Sequence, residues 1–124
     1  MKLRIKGNSI RLRLLRSEVE ALGRSGSITE ETSFGPESRF RYTLSVSADA
    51  DSVSANFSHN EIEIRLPLAA SQHWLKGDAI TIASEQRIDG NNLLSIVVEK
   101  DFVCLDRPND PDNADAFPHP EISC

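Results

Sequence analysis

Two sets of side chains in this chain of 124 residues carry recognisable chemistry. Lys2, Arg4, Lys6, Arg11 and Arg13 alternate with apolar residues, so a strand pair would gather them on one face able to neutralise phosphates or another anion. Cys104, His119 and Cys124 are the three soft ligands of the C-terminal segment and could hold zinc or another transition metal. A structural zinc site takes four nitrogen or sulfur ligands, so a fourth would come from Asp115, His73, His59 or another subunit. The same two cysteines could form a Cys104–Cys124 disulfide, which a reducing cytosol disfavours. In the plainest reading Cys104, between Val103 and Leu105, is a small buried hydrophobe and His119, between two prolines, an exposed loop residue.

Other chemistries lack their sequence signatures. The carboxylates from Asp106 to Asp115 are interrupted by Pro108 and Pro111 and have no glycine, so they read as a solvated acidic loop and not as a calcium loop. There is no phosphate-cradling glycine loop, no G-x-S-x-G and no H-E-x-x-H, so no catalytic residue and no cofactor-binding residue is assigned. His73, beside Trp74 on a predicted helix, reads as a packed or partly exposed histidine.

The net charge of −5 is unevenly spread. Residues 1–24 hold seven basic side chains against Glu18 and Glu20, whereas the segment from Asp101 onward holds six carboxylates against Arg107. Such asymmetry asks for a partner of opposite sign, and the acidic tail is itself a candidate to lie across the basic hairpin. The overall acidity argues against nucleic acid as that partner.

Local patterning supplies the elements that would position these groups. Lys2–Lys6 and Ile10–Leu14 alternate around Gly7-Asn8, a dipeptide suited to a tight hairpin turn. Ser17, with Glu20 three residues on, predicts a capped helix ending between Gly23 and Gly26. Ile28–Phe34 and Phe40–Val46 read as strands around Gly35-Pro36, and Val53–Phe57 and Glu61–Leu66 as strands around His59-Asn60. Pro67 opens a second helix over Leu68–Leu75, stopped at Lys76-Gly77-Asp78; Ala79–Ile88 and Leu93–Val98 then form a last hairpin.

A shift of 52 residues lays this pattern on itself. Asn8 falls on Asn60, Ile10 on Ile62, Arg13 on Arg65, Leu14 on Leu66, Ile28 on Ile80, Thr29 on Thr81 and Val46 on Val98, with Leu22 matched to Trp74. The expected fold class is therefore α+β: an antiparallel sheet or small β-barrel with two short helices, built from two strand–helix–strand–strand units. The expected domain is residues 1–100, with copies at about 8–48 and 60–100. Residues 101–124 would form an irregular acidic tail packed on it.

The second copy, from Ile62 through Leu66-Pro67 and Gly77-Asp78 to Lys100, resembles the swapped-hairpin half-barrels of AbrB, MazE and MraZ transcription factors. That resemblance implies nucleic-acid binding by a β-ribbon. The opening MKLRIKGNSIRLRL and the closing EKDFVCLDRP with ADAFPHP resemble a family of small bacterial proteins that carries no assigned activity. Residues 1–16 have no continuous apolar run of the kind an export signal needs, which makes a cytoplasmic location the expectation, with no membrane partner. The expected function is a non-catalytic binding or regulatory module, for which a second copy of the chain, giving a homodimer, is one partner considered. The alternatives are a small metal-binding protein using Cys104, His119 and Cys124, and nucleic-acid binding through Lys2, Arg4, Lys6, Arg11 and Arg13.

Overall fold

The computed structural model describes residues 1–102 and 111–117. In chain order its elements are β1 (Lys2–Lys6), β2 (Ser9–Leu14), α1 (Arg16–Ser25), β3 (Ser27–Gly35), β4 (Ser38–Ser47), β5 (Ser54–Ser58), β6 (Glu61–Pro67), α2 (Leu68–Lys76), β7 (Thr81–Asp89) and β8 (Asn92–Lys100). A short 3-10 turn follows at Pro111–Asp115. The fold is α+β, with two similar units of two strands, a helix and two more strands. The sheets are not purely antiparallel, nor do they close into a barrel: there are two open, mixed four-stranded sheets. Sheet A runs in the order β1-β2-β8-β7 and sheet B in the order β3-β4-β6-β5.

Each turn-linked hairpin pairs antiparallel, and the two hairpins of a sheet meet along a parallel pair, β2 with β8 and β4 with β6. Each sheet thus takes its first hairpin from one unit and its second from the other. The two helices make this exchange possible. A helix of about ten residues advances the chain roughly 15 Å, far enough to leave one sheet and enter the next.

Buried side chains from both sheets and both helices form one aliphatic core around Trp74: Leu12, Leu14, Val19, Leu22, Leu44, Ile62, Ile64, Leu66, Ile96 and Val98. The alternation predicted from the sequence sets the buried face, but the hairpin tips project beyond the core. Ile5 and its counterpart Phe57 are 54% and 64% exposed despite lying on the core-facing side of their strands.

Three local predictions need correction. Helix α1 begins at Arg16 and not at a Ser17 cap: Glu18 reaches back to accept the Leu15 N–H at 2.8 Å. Ser17 is left to donate its own N–H to Asp115 Oδ1 at 3.1 Å and its hydroxyl to Asp115 Oδ2.

The repeat period also changes within the unit. β5 and β6 follow β1 and β2 by 52 residues, but β7 and β8 follow β3 and β4 by 54. The pairing Ile28↔Leu44 recurs as Ile82↔Val98, and Leu44↔Ile64 recurs as Val98↔Leu12. Ile28 is therefore equivalent to Ile82 and not to Ile80, and Val46 to Lys100 and not to Val98.

The two extra residues lie where the second helix hands over to its strand. After α1, Gly26 adopts φ 84°, its N–H closes on the Leu22 carbonyl, and β3 starts at the next residue. After α2, Gly77 stays extended at φ −112°, and residues 77–80 precede β7. The longer connection brings the Ile80 carbonyl to the Trp74 indole N–H, which donates to it at 2.8 Å, a bond Leu22 has no donor to make.

The third correction concerns Lys100, which lies two residues past the predicted strand end at Val98 and instead closes β8. It is buried, at 9% exposure. Its ammonium donates to the Gly77 carbonyl at 3.1 Å and lies 5.9 Å from the Trp74 ring centroid. Its backbone N–H donates to Ile80, as that of Val46 does to Gly26. Lys100 thus fastens the connection that the first unit lacks.

The chain beyond β8 uses the same place. Phe117 donates its N–H to the Asp101 carbonyl at 2.9 Å and bridges Phe102. Its ring lies 5.3 Å from the Lys100 ammonium and 5.7 Å from the Arg16 guanidinium.

Candidate anion-binding face

The pairing registers decide which side chains share the outer surface of sheet A. Leu12, Leu14, Ile96 and Val98 are buried, so the alternate positions face outward. On β1 and β2 these are Lys2 opposite Arg13, Arg4 opposite Arg11, and Lys6 opposite Ser9. All five basic residues predicted as an anion-binding set are therefore brought onto one face. Arg87, Glu85 and Glu99 lie on the same surface farther along the sheet.

Sheet B offers an internal comparison. Its equivalent outward positions carry Ser54, Asn56 and Ser58 on β5, and Glu61, Glu63 and Arg65 on β6. Those carboxylates are offset locally. Arg65 pairs with Glu63 at 3.2 Å, Arg39 with Glu31 at 3.8 Å, and the Thr43 hydroxyl donates to Glu61 at 2.8 Å. One scaffold, used twice, carries a balanced surface on sheet B and a cationic excess on sheet A.

The acidic side chains near the basic face are unevenly shared. Glu99 Oε1 accepts the Arg13 Nε–H at 2.5 Å and lies 3.7 Å from Arg11 Nη1. Lys2 pairs with Asp101 at 3.2 Å. Among the described residues none forms an ion pair with Arg4 or Lys6. The described tail residues sit on Lys2, Arg16, Ser17 and Lys100, and none of them forms an ion pair with Arg4, Arg11 or Arg13. Arg4, Lys6, Ser9 and Arg11 line a depression of about 210 Å³ at the hairpin tip.

Neutralising Glu99 gives a direct check of this electrostatic layout. Glu99→Gln is expected to tighten binding of an anionic probe severalfold while costing less than about 1 kcal/mol of stability, because the pairs it removes are partly exposed. Parallel salt titrations and urea melts of the two proteins would show it. A loss of affinity would contradict the arrangement.

Sequence reasoning missed Glu99 and Asp101, which pair with Arg11, Arg13 and Lys2. The parallel pairing of β8 with β2 brings them there, and no local pattern in the sequence signals it.

The predicted metal ligands Cys104, His119 and Cys124 lie outside the described residues. Among the described residues no group of three or more His, Cys, Asp or Glu side chains comes together to hold a metal ion. Of the proposed fourth ligands, Asp115 is engaged by Ser17, His59 occupies the exposed β5–β6 turn with φ 52°, and His73 is exposed on α2. No described helix is long and apolar enough to cross a membrane.

No curated protein and no solved structure matches the chain. A family model does match over residues 1–121. With nearly the whole chain covered, this protein belongs to DUF7009, a family of unknown function.

Proposed function

We propose that this chain is a non-catalytic binding module that takes an anionic partner on the outer face of sheet A. The observation that carries the reading is the like-charge rung Arg4 opposite Arg11, which among the described residues meets one carboxylate, Glu99, at 3.7 Å from Arg11. Like charges directly opposite one another destabilise a strand pair, so the arrangement costs free energy that a bound anion returns. The balanced outer face of sheet B supports this reading, because it shows that the scaffold itself does not require the excess.

Fluorescence anisotropy with a labelled polyphosphate of about ten phosphates, at about 50 mM salt where electrostatic affinity is high, tests the proposal. Binding should weaken steeply as salt is added and be lost in the doubly reversed variant Arg4→Glu/Arg11→Glu. A mixed-sequence DNA duplex serves as the second probe. The resemblance to swapped-hairpin transcription factors favours duplex binding, and the net charge of −5 opposes it. If neither probe binds at that salt concentration, the reading is wrong.

A further inference from the structure

Within this cationic face we propose a discrete oxyanion subsite at the tip of the β1–β2 hairpin. It is built by Arg4, Lys6 and Arg11 and suited to the doubly charged phosphoryl group of phosphate or a small phosphomonoester. The inference rests on the anion-binding reading above and narrows it to one ligand chemistry.

Size is the first argument. The depression of about 210 Å³ is smaller than the roughly 300–1,000 Å³ usual for sites that enclose drug-sized ligands. It has room for a single tetrahedral group whose remaining substituent points to solvent.

Donor chemistry is the second. Arg4 and Arg11 stand directly opposite one another, so their Cβ atoms lie within about 5.5 Å and their guanidinium groups can approach one anion from two sides. Each presents a planar fork of N–H donors that matches phosphate oxygens in pairs. Lys6 adds a third cation one rung farther on. A single carboxylate would satisfy only one fork. Three converging cations favour an anion of two charges and several acceptor oxygens.

Availability and rigidity complete the case. Glu99 is committed to Arg13 at 2.5 Å and reaches Arg11 only at 3.7 Å, which leaves Arg11 donors to spare. The hairpin tip is held before any ligand arrives. The Ser9 hydroxyl donates to the Lys6 carbonyl at 2.8 Å, the Asn8 side chain donates to the Leu93 carbonyl, and the Ser95 N–H donates to the Asn8 carbonyl at 3.1 Å. A tip tied to β8 at two points loses little conformational freedom on binding, which favours affinity for a small ligand.

Titration of the full chain with inorganic phosphate and with O-phosphoserine, followed by NMR at ionic strength matched with sodium chloride, tests the subsite. Saturable shifts at one equivalent, centred on the β1–β2 tip, are expected. The relative affinity of the two probes identifies free phosphate or a phosphomonoester as the better ligand. Arg4→Ala and Arg11→Ala should each weaken binding by about tenfold or more. Arg4→Lys should also weaken it, because the charge stays but the fork is lost. Lys76→Ala, on α2 and outside this face, should leave it unchanged. Arg4 and Lys76 are exposed and Arg11 lies on the outer face of sheet A, so these variants keep the fold.

Unsaturable shifts overturn the subsite, as does a Lys76→Ala loss equal to that of Arg4→Ala or an Arg4→Lys affinity equal to the wild type's. If polyphosphate still binds while neither small probe saturates, the subsite is rejected and the broader face stands. If polyphosphate fails as well, the anion-binding reading falls with it.

Discussion

Trp74→Ala is expected to lower the stability of this protein by about 3–5 kcal/mol, the range for truncating a large buried aromatic. Trp74 is fully buried at the centre of a core otherwise built from aliphatic side chains. Removing the indole from this close-packed core leaves a cavity. The lost hydrogen bond adds little, since the Ile80 carbonyl that accepts the indole N–H also accepts the Lys100 N–H at 3.1 Å. Domains of this size have about 5–15 kcal/mol in total, so about a fifth or more of the stability should go with this one residue. Leu22→Ala, at the equivalent place in the first unit, should cost about 2–5 kcal/mol by the same mechanism. Trp74 is the only tryptophan, so urea melts should be followed by far-ultraviolet circular dichroism and not by fluorescence. A loss below about 1 kcal/mol would contradict this picture of the core.

Lys100 carries the second large effect, and its sign depends on pH. Desolvation by burial holds its ammonium below the usual value of 10.5, with Asp78 opposing the shift. Between the lowered folded pKa and 10.5 the unfolded chain binds more protons than the folded one, so the lysine's contribution to stability rises with pH in that window. Below it, the full cost of keeping a buried charge is present. Lys100→Met keeps the length of the side chain and removes both that charge and its bond to the Gly77 carbonyl, so the two changes offset and the variant should lie within about 1 kcal/mol of the wild type at pH 7. The wild type should then gain on it as the pH approaches 10.5. Lys100→Ala should lose about 1–3 kcal/mol, because the aliphatic stem beside Trp74 and Phe117 disappears along with the charge. Thermal melts of the three proteins at neutral and alkaline pH check both statements. A constant gap between wild type and Lys100→Met across that range would show that Lys100 is not desolvated.

Phe117 adds a consequence of the same substitution. Its ring sits against both the Lys100 ammonium and the Arg16 guanidinium, while Asp115 takes the N–H and hydroxyl of Ser17. The pseudo-equivalents of Arg16 and Lys100 are Leu68 and Val46, which offer no cation to an aromatic ring. The docking of this segment is thus a property of one unit only.

Most of the local structure was legible in the residues. Alternation in Lys2–Lys6 and Ser9–Leu14, with Gly7 at the turn, is a two-residue hairpin signal whose pairing is settled by neighbouring residues alone. Ile62, Ile64 and Leu66 likewise announce the buried side of β6. The five basic residues of the candidate site could be assigned to one face for the same reason: a strand's two-residue period needs no tertiary information. The Ser17 cap was misread because Ser17 and Glu20 satisfy a generic pattern, whereas Leu15 and Glu18 satisfy the actual geometry.

By itself, then, the amino-acid sequence determined the hairpins, the two helices, the apolar faces and the cationic rungs, since each depends on contacts between residues close in the chain. Tertiary structure alone decided which hairpins share a sheet. The parallel joins of β2 to β8 and of β4 to β6 are chosen by how both units fill one core, and no turn residue encodes them. That choice moved Glu99 beside Arg11 and Arg13. It also set Lys100, the equivalent of Val46, against Trp74 and Phe117. A lysine at the end of an amphipathic strand reads as solvated, and it is buried here because β8 lies beside β2 with its inward face on the core.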